Sequence, residues 1–166
     1  VSFYVEIDAD TTEAAAVILQ LQTRLSPAGL ATFLQGIVDP FIRNRIQGRF
    51  TSEGDDVSGA WHPLEQATQQ IRAAYGYPPD HPINVRTGEM QDFLVNTQSD
   101  VVMTGIGAEL MHPPLTASAA LSQKIATAQG GRASPSTPAR PVIGVNENDV
   151  LFITSELVVY ITEGMI

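Results

Sequence analysis

A single α+β domain is the fold class this chain predicts: a small mixed or antiparallel sheet packed against several amphipathic helices, with a long C-terminal helix and a protruding Pro/Ser-rich arm. Three observations predict it. Residues 2–8, SFYVEID, set Phe3, Val5 and Ile7 against Ser2, Tyr4 and Glu6, the period-two pattern of a half-buried strand. Several later stretches space their apolar residues at helical intervals instead. The length, 166 residues, suits one core, and a chain of that size buries roughly 70% of its unfolded surface.

Asp10 with Glu13 three residues later predicts a capped helix start, and Ala14, Val17, Ile18, Leu21 and Leu25 line one face of that helix. Ser26 and Pro27 open a second helix as N-cap and first helical residue. Its apolar set runs through Leu30, Phe33, Leu34, Ile37, Val38, Phe41, Ile42 and Ile46. Pro40 lacks a backbone donor and is expected to bend it. Arg43, Arg45 and Arg49 gather near its end, where positive charge offsets the helix dipole; that role is favoured over a binding patch.

Residues 52–59, SEGDDVSG, are expected as a loop. A helix carrying Leu64, Ala67, Thr68 and Ile71 on one face then stops at Gly76. Residues 83–85 read as short and extended, with Thr87 capping the helical turn that follows. A strand is expected over 100–108, then a Pro/Ala/Ser/Gly-rich region, 112–140, containing a short helix and the flexible arm. The last segment has strand-like composition, but its acidic lead-in, residues 146–149, and the spacing of Val150, Ile153, Leu157, Ile161 and Met165 favour a helix.

Composition narrows the chemistry. The chain has no cysteine, so disulfides and thiolate metal sites are excluded, which fits a reducing cytoplasm. Its formal charge is −9, from 9 bases against 18 acids, so tight gripping of nucleic acid is not expected. No apolar run has the roughly 18 residues a membrane span needs, and the opening VSFYVEIDAD lacks the pattern of a signal peptide.

His62, His81 and His112 each precede proline, which pushes a residue toward extended or turn backbone. Turn roles are therefore favoured over metal or catalytic ones. GIGAEL, at 105–110, has two of the three glycines of a dinucleotide loop and no convincing following helix. No phosphate loop or nucleophile elbow is present. No catalytic, cofactor-binding or metal-binding residue is assigned. Trp61, after a polar loop, is read as a core anchor ahead of an interface residue.

Three segments together resemble the phage virion morphogenesis family, the tail-completion or tail-to-head joining proteins. They are IQGRFTSEGDDVSGAWHPLEQAT, INVRTGEMQDFL and TPARPVIGVNENDVLFI, in the family's order, covering roughly 40–105 and 135–165. Met90 stands where the family has leucine, and the family's pattern between 109 and 135 is replaced here by LMHPPLTASAALSQKIATAQGG.

The resemblance implies a non-enzymatic component of the virion neck or tail terminus, assembled in the host cytoplasm. Its partners would be copies of itself in a ring, sixfold by analogy, together with head–tail connector or stopper and tail-tube proteins. Double-stranded DNA would pass through without tight binding. Interface residues implied on this view are Trp61, Pro63, Leu64, Thr87, Gly88, Arg132, Pro138, Arg140 and Pro141, with the 131–141 arm reaching a neighbour and Arg140 as a salt-bridge anchor. Two other classes stand beside it: a small cytoplasmic enzyme or accessory subunit, and a monomeric adaptor binding one peptide.

Overall fold

Ser26 starts the element around which the rest is arranged. In the computed structural model, which describes residues 12–78, 81–132 and 137–163, its hydroxyl accepts the Gly29 N–H and caps α2, Pro27–Phe33. α2 passes into a π-helical turn, Leu34–Val38, and then into α3, Asp39–Ser52. The widening has a cause. Pro40 has no N–H to continue the ladder, and just before it the Asp39 N–H reaches five residues back to the Leu34 carbonyl. The bend expected at Pro40 is thus taken up by a wider turn.

α1, Thr12–Arg24, precedes this element. The strand expected at 2–8 and the cap at Asp10 lie outside the described residues. None of the α1 residues is buried; Ile18 and Leu25, expected to face the core, are about half exposed. α1 packs instead against α7, Glu147–Thr162, where Arg24 donates to the Tyr160 and Ile161 carbonyls near its C-terminal end.

The sheet content is two separate antiparallel hairpins. β1, Gly54–Asp55, pairs with β2, Gly59–Ala60, inside the stretch expected as plain loop. β3, Asp100–Met103, pairs with β4, Ala108–Met111, so the single strand expected over 100–108 reverses at its glycines, with the Thr104 N–H on the Gly107 carbonyl at 2.8 Å. Residues 83–85 form a turn rather than an extended run, and Asn84 has φ 62°. α5, Glu89–Asn96, is entered through Gly88 at φ 74° with no side-chain cap, so Thr87 does not have the expected capping role.

α4, Gln66–Ala74, and α6, Ala119–Gly130, complete the helices among the described residues. The core joins Ile46 and Phe50 of α3, Met90 and Leu94 of α5, and Leu121 and Ile125 of α6 with Trp61, Ile83 and Val142. Trp61 sits edge-on to Phe50 at 5.7 Å and donates through Nε1 to the Pro141 carbonyl at 3.1 Å. It is a core anchor, as its sequence context favoured.

The described part of the expected arm packs on its own chain. Arg132 and Thr137 exchange two backbone hydrogen bonds of 2.8 Å across residues 133–136. Gly131 makes the entry possible: its φ is 69°, and a Cβ there would lie 2.5 Å from the Thr137 carbonyl oxygen. Beyond Thr137 the chain runs along α6. The Arg140 N–H bonds the Ala128 carbonyl, and the Gln129 side chain bonds the Val142 and Ile143 N–H groups and the Ile143 carbonyl as a neighbouring strand would.

α7 begins with a reciprocal capping box between Asn146 and Asp149. The acidic lead-in that favoured a helix therefore has a direct structural role.

Candidate functional site

Apart from Arg24, which holds α1 to α7, the arginines fall into two environments in this fold. The three on α3 are tied down. Arg49, with its side chain 1% exposed, pairs with Asp55 at 2.6 Å and donates to the Val142 and Gly144 carbonyls. Arg45 pairs with Asp56 at 2.7 Å and with Asp149 at 3.1 Å, and Arg43 pairs with Asp39 at 3.0 Å. Offsetting the helix dipole is therefore a minor part of their role; they join α3 to β1–β2, to the 142–144 segment and to α7.

The electrostatics agree. Burial alone would raise the Asp55 carboxyl, but hydrogen bonds from Ser58, Arg49 and Val57 hold it below its ordinary value. The bond to Asp56, with further help from Asp149, holds Arg45 above its own.

The second environment is a cavity of about 590 Å³ between α4, the turn before α5, α6 and the 132–140 return. Arg72, Arg86, Lys124, Arg132 and Arg140 line it, five of the chain's nine bases. Lys124 pairs with Glu89. Among the described residues, none of the other four has a carboxylate oxygen within 4 Å, in a chain with 18 acids.

Arg72 uses one nitrogen on the His81 and Pro82 carbonyls, and Arg140 donates to the His62 and Pro63 carbonyls. Burial lowers the pKa of both, and for Arg72 the nearby Arg86 and Arg140 charges lower it further. Arg86 and Arg132 are solvent-exposed. The apolar part of the wall includes Ile71 and Tyr75, 57% and 72% exposed, so the α4 face expected to be core opens onto the cavity.

Of the nine interface residues implied by the resemblance, Thr87, Arg132, Pro138 and Arg140 line this cavity. Trp61 is in the core, Leu64 packs at its edge, and the Pro63 and Pro141 carbonyls accept hydrogen bonds from Arg140 and Trp61. Gly88 supplies the left-handed entry to α5. Within the chain Arg140 donates to the His62 and Pro63 carbonyls. Arg72, Arg86 and Lys124 were missed as site residues. They come from three elements and share no local pattern, so their convergence exists only in the fold.

The histidines lie apart from the cavity lining. His81 bonds the Val85 carbonyl within its own turn. His112 enters a buried relay: its Nδ1 is 2.8 Å from the Ser99 hydroxyl, which donates to Asp39 at 2.5 Å. With the single hydroxyl proton on Asp39, the imidazole must donate to Ser99 through Nδ1–H. That polarity is the reverse of a serine activated by a histidine base, and Ser99 is 4% exposed. The relay fastens the β3–β4 hairpin to the start of α3. Burial lowers the His112 pKa, with Asp39 opposing and Arg43 reinforcing the effect. Among the described residues no group of three or more acidic or histidine side chains is placed to hold a metal ion.

No family model, curated protein or solved structure matches the chain. Among the described residues no helix is long and apolar enough to cross a membrane.

Proposed function

We propose that this chain is a structural subunit of a tailed-phage neck or tail terminus, acting by self-assembly into a ring that completes the tail and meets the head connector. The observation that carries the reading is the outer surface of α7 and α1. Leu151, Val158 and Val159 of α7 are more than half exposed, as are Ile18 and Leu19 of α1, on two helices packed against each other. Large apolar side chains left exposed on both of two packed helices are candidates for cover by another protein.

The covering protein in this reading is a second copy. A ring repeats one head-to-tail contact, between two different surfaces of neighbouring copies, around an axis, and it closes without any further partner. The segments that carry the family resemblance also pack on one another through Trp61, Arg140 and Pro141, so they form one physical unit. Placement in the virion neck follows from that resemblance.

The acidic balance suits a conduit for DNA. The unpaired bases are gathered around one small cavity and do not form a track along which a duplex backbone could lie. The test is sedimentation of the purified protein, alone and mixed with tail tubes, followed by imaging. A discrete ring bound at a tube end is expected, with no tight duplex binding at physiological salt. A protein that stays monomeric in both samples, and is absent from particles, refutes the reading.

A small enzyme or accessory subunit is the alternative, and the cavity is what favours it. Its volume lies in the range of ligand pockets. A nucleotide or metabolite retained in native mass spectrometry would move the assignment there.

A further inference from the structure

The cavity gathers more positive charge than the described residues pair directly: Lys124 meets Glu89, and Glu53 and Glu65 act on Arg72 and Arg140 only from beyond ion-pair distance. Four arginines from α4, the turn before α5, and the segments flanking residues 133–136 lie around it without an ion pair among the described residues, although acids outnumber bases two to one in the chain. An isolated guanidinium at a surface needs no explanation; four sharing one concavity repel each other. Their mutual effect is already visible at Arg72. The cavity is therefore poised for a carboxylate-bearing occupant, and the exposed Ile71 and Tyr75 beside it call for an apolar companion to that carboxylate.

One element of the same chain offers both together. The first turns of α7 present Glu147, which is solvent-exposed and without an ion pair among the described residues, beside Val150 and Leu151, 51% and 67% exposed. These residues, at i, i+3 and i+4, share one helix face. We propose that the cavity of one subunit receives the N-terminal turns of α7 from a second copy, with Glu147 among Arg86 and Arg132 and Leu151 against Ile71 and Tyr75. This rests on the ring reading and specifies its contact. Cavity and α7 face are different surfaces of the subunit, so the pairing is head-to-tail, the class of contact that generates rings.

Charge exchange tests it. Arg86 and Arg132 are exposed, so the double variant Arg86→Glu/Arg132→Glu should fold, which circular dichroism checks. In sedimentation, that variant and Glu147→Arg alone are each expected to assemble at least tenfold more weakly than wild type. Combining all three substitutions should recover most of the loss. Leu151→Ser should weaken assembly without changing its salt dependence.

If both charge variants form rings like wild type, the cavity contact is overturned while the ring reading stands. Loss without recovery in the triple variant means that α7 is not the occupant, and a retained phosphate-bearing ligand that blocks the cavity means the same. A wild-type protein that never self-associates, even on tail tubes, removes the ring reading and this contact together.

Discussion

The knot at the end of α3 and the cavity beside α4 are built from the same residue type, yet they use it in opposite ways. In the knot each arginine is paired with carboxylates: Arg49 meets Asp55 and two carbonyls, and Arg45 meets Asp56 and Asp149. In the cavity Arg86 and Arg132 remain exposed, and Arg72 and Arg140 spend donors on carbonyls alone. The difference teaches where this acidic chain invests its few bases. A buried guanidinium must have its donors answered or the fold loses stability, as the Asp55 carboxylate does for Arg49 and carbonyls do for Arg140. The exposed Arg86 and Arg132 can instead keep their charge for something outside the subunit.

The sharpest way to break this contrast is at Arg49. Arg49→Ala leaves the mostly buried Asp55 with only the more distant Arg45, at 3.5 Å, and two carbonyls without a donor, and should cost about 3 kcal/mol in urea unfolding. A loss below about 1 kcal/mol would mean the knot is ordinary surface pairing. Lysine should recover little, because a point charge cannot reproduce a fork that reaches a carboxylate and two carbonyls at once.

Acid provides a second, smaller separation. Asp55 is held below its ordinary value, so its contribution is complete above about pH 4 and is lost as pH falls through the folded value. Asp55→Asn should accordingly be less stable than wild type at neutral pH, with the gap closing on acidification. A gap that stays constant from pH 7 to pH 3 would show that the carboxylate charge is not what the knot uses. The smallest effect belongs to the cavity. Arg86→Ala should change stability by less than about 0.5 kcal/mol, since Arg86 is exposed and removing it breaks no hydrogen bond or ion pair among the described residues. A large loss there would erase the distinction between the two sites.

Much of the fold could be read along the chain because its signals are local. The Ser26–Pro27 start, the stop at Gly76, the helix inside 112–140 and the capped start of α7 each rest on residues within one turn of one another. The misreadings share a different origin. Helical spacing in α1, α4 and α7 shows that each has an apolar face but not what covers it, and Ile18, Ile71 and Val150 turn outward.

Within 100–111, β propensity continues through the glycines, so a hairpin and a strand look alike until the pairing of Val101 with Leu110 is seen. The site was harder still. Arg49 and Arg86 are indistinguishable in sequence, because what separates them is a pair of carbonyls more than ninety residues from Arg49. Thr87, Arg132, Pro138 and Arg140 were reached through family resemblance, and no local pattern connected them with Arg72 or Lys124.

Gln129 gives the molecule a mechanical property. It stands next to Ala128 in the cavity wall, and its amide grips the backbone of residues 142 and 143, a few peptides before the Asn146 cap. One side chain thus ties the wall to the short irregular segment, residues 144–146, that leads into α7. Removing that amide would therefore loosen the root of the last helix and the rim of the concavity together.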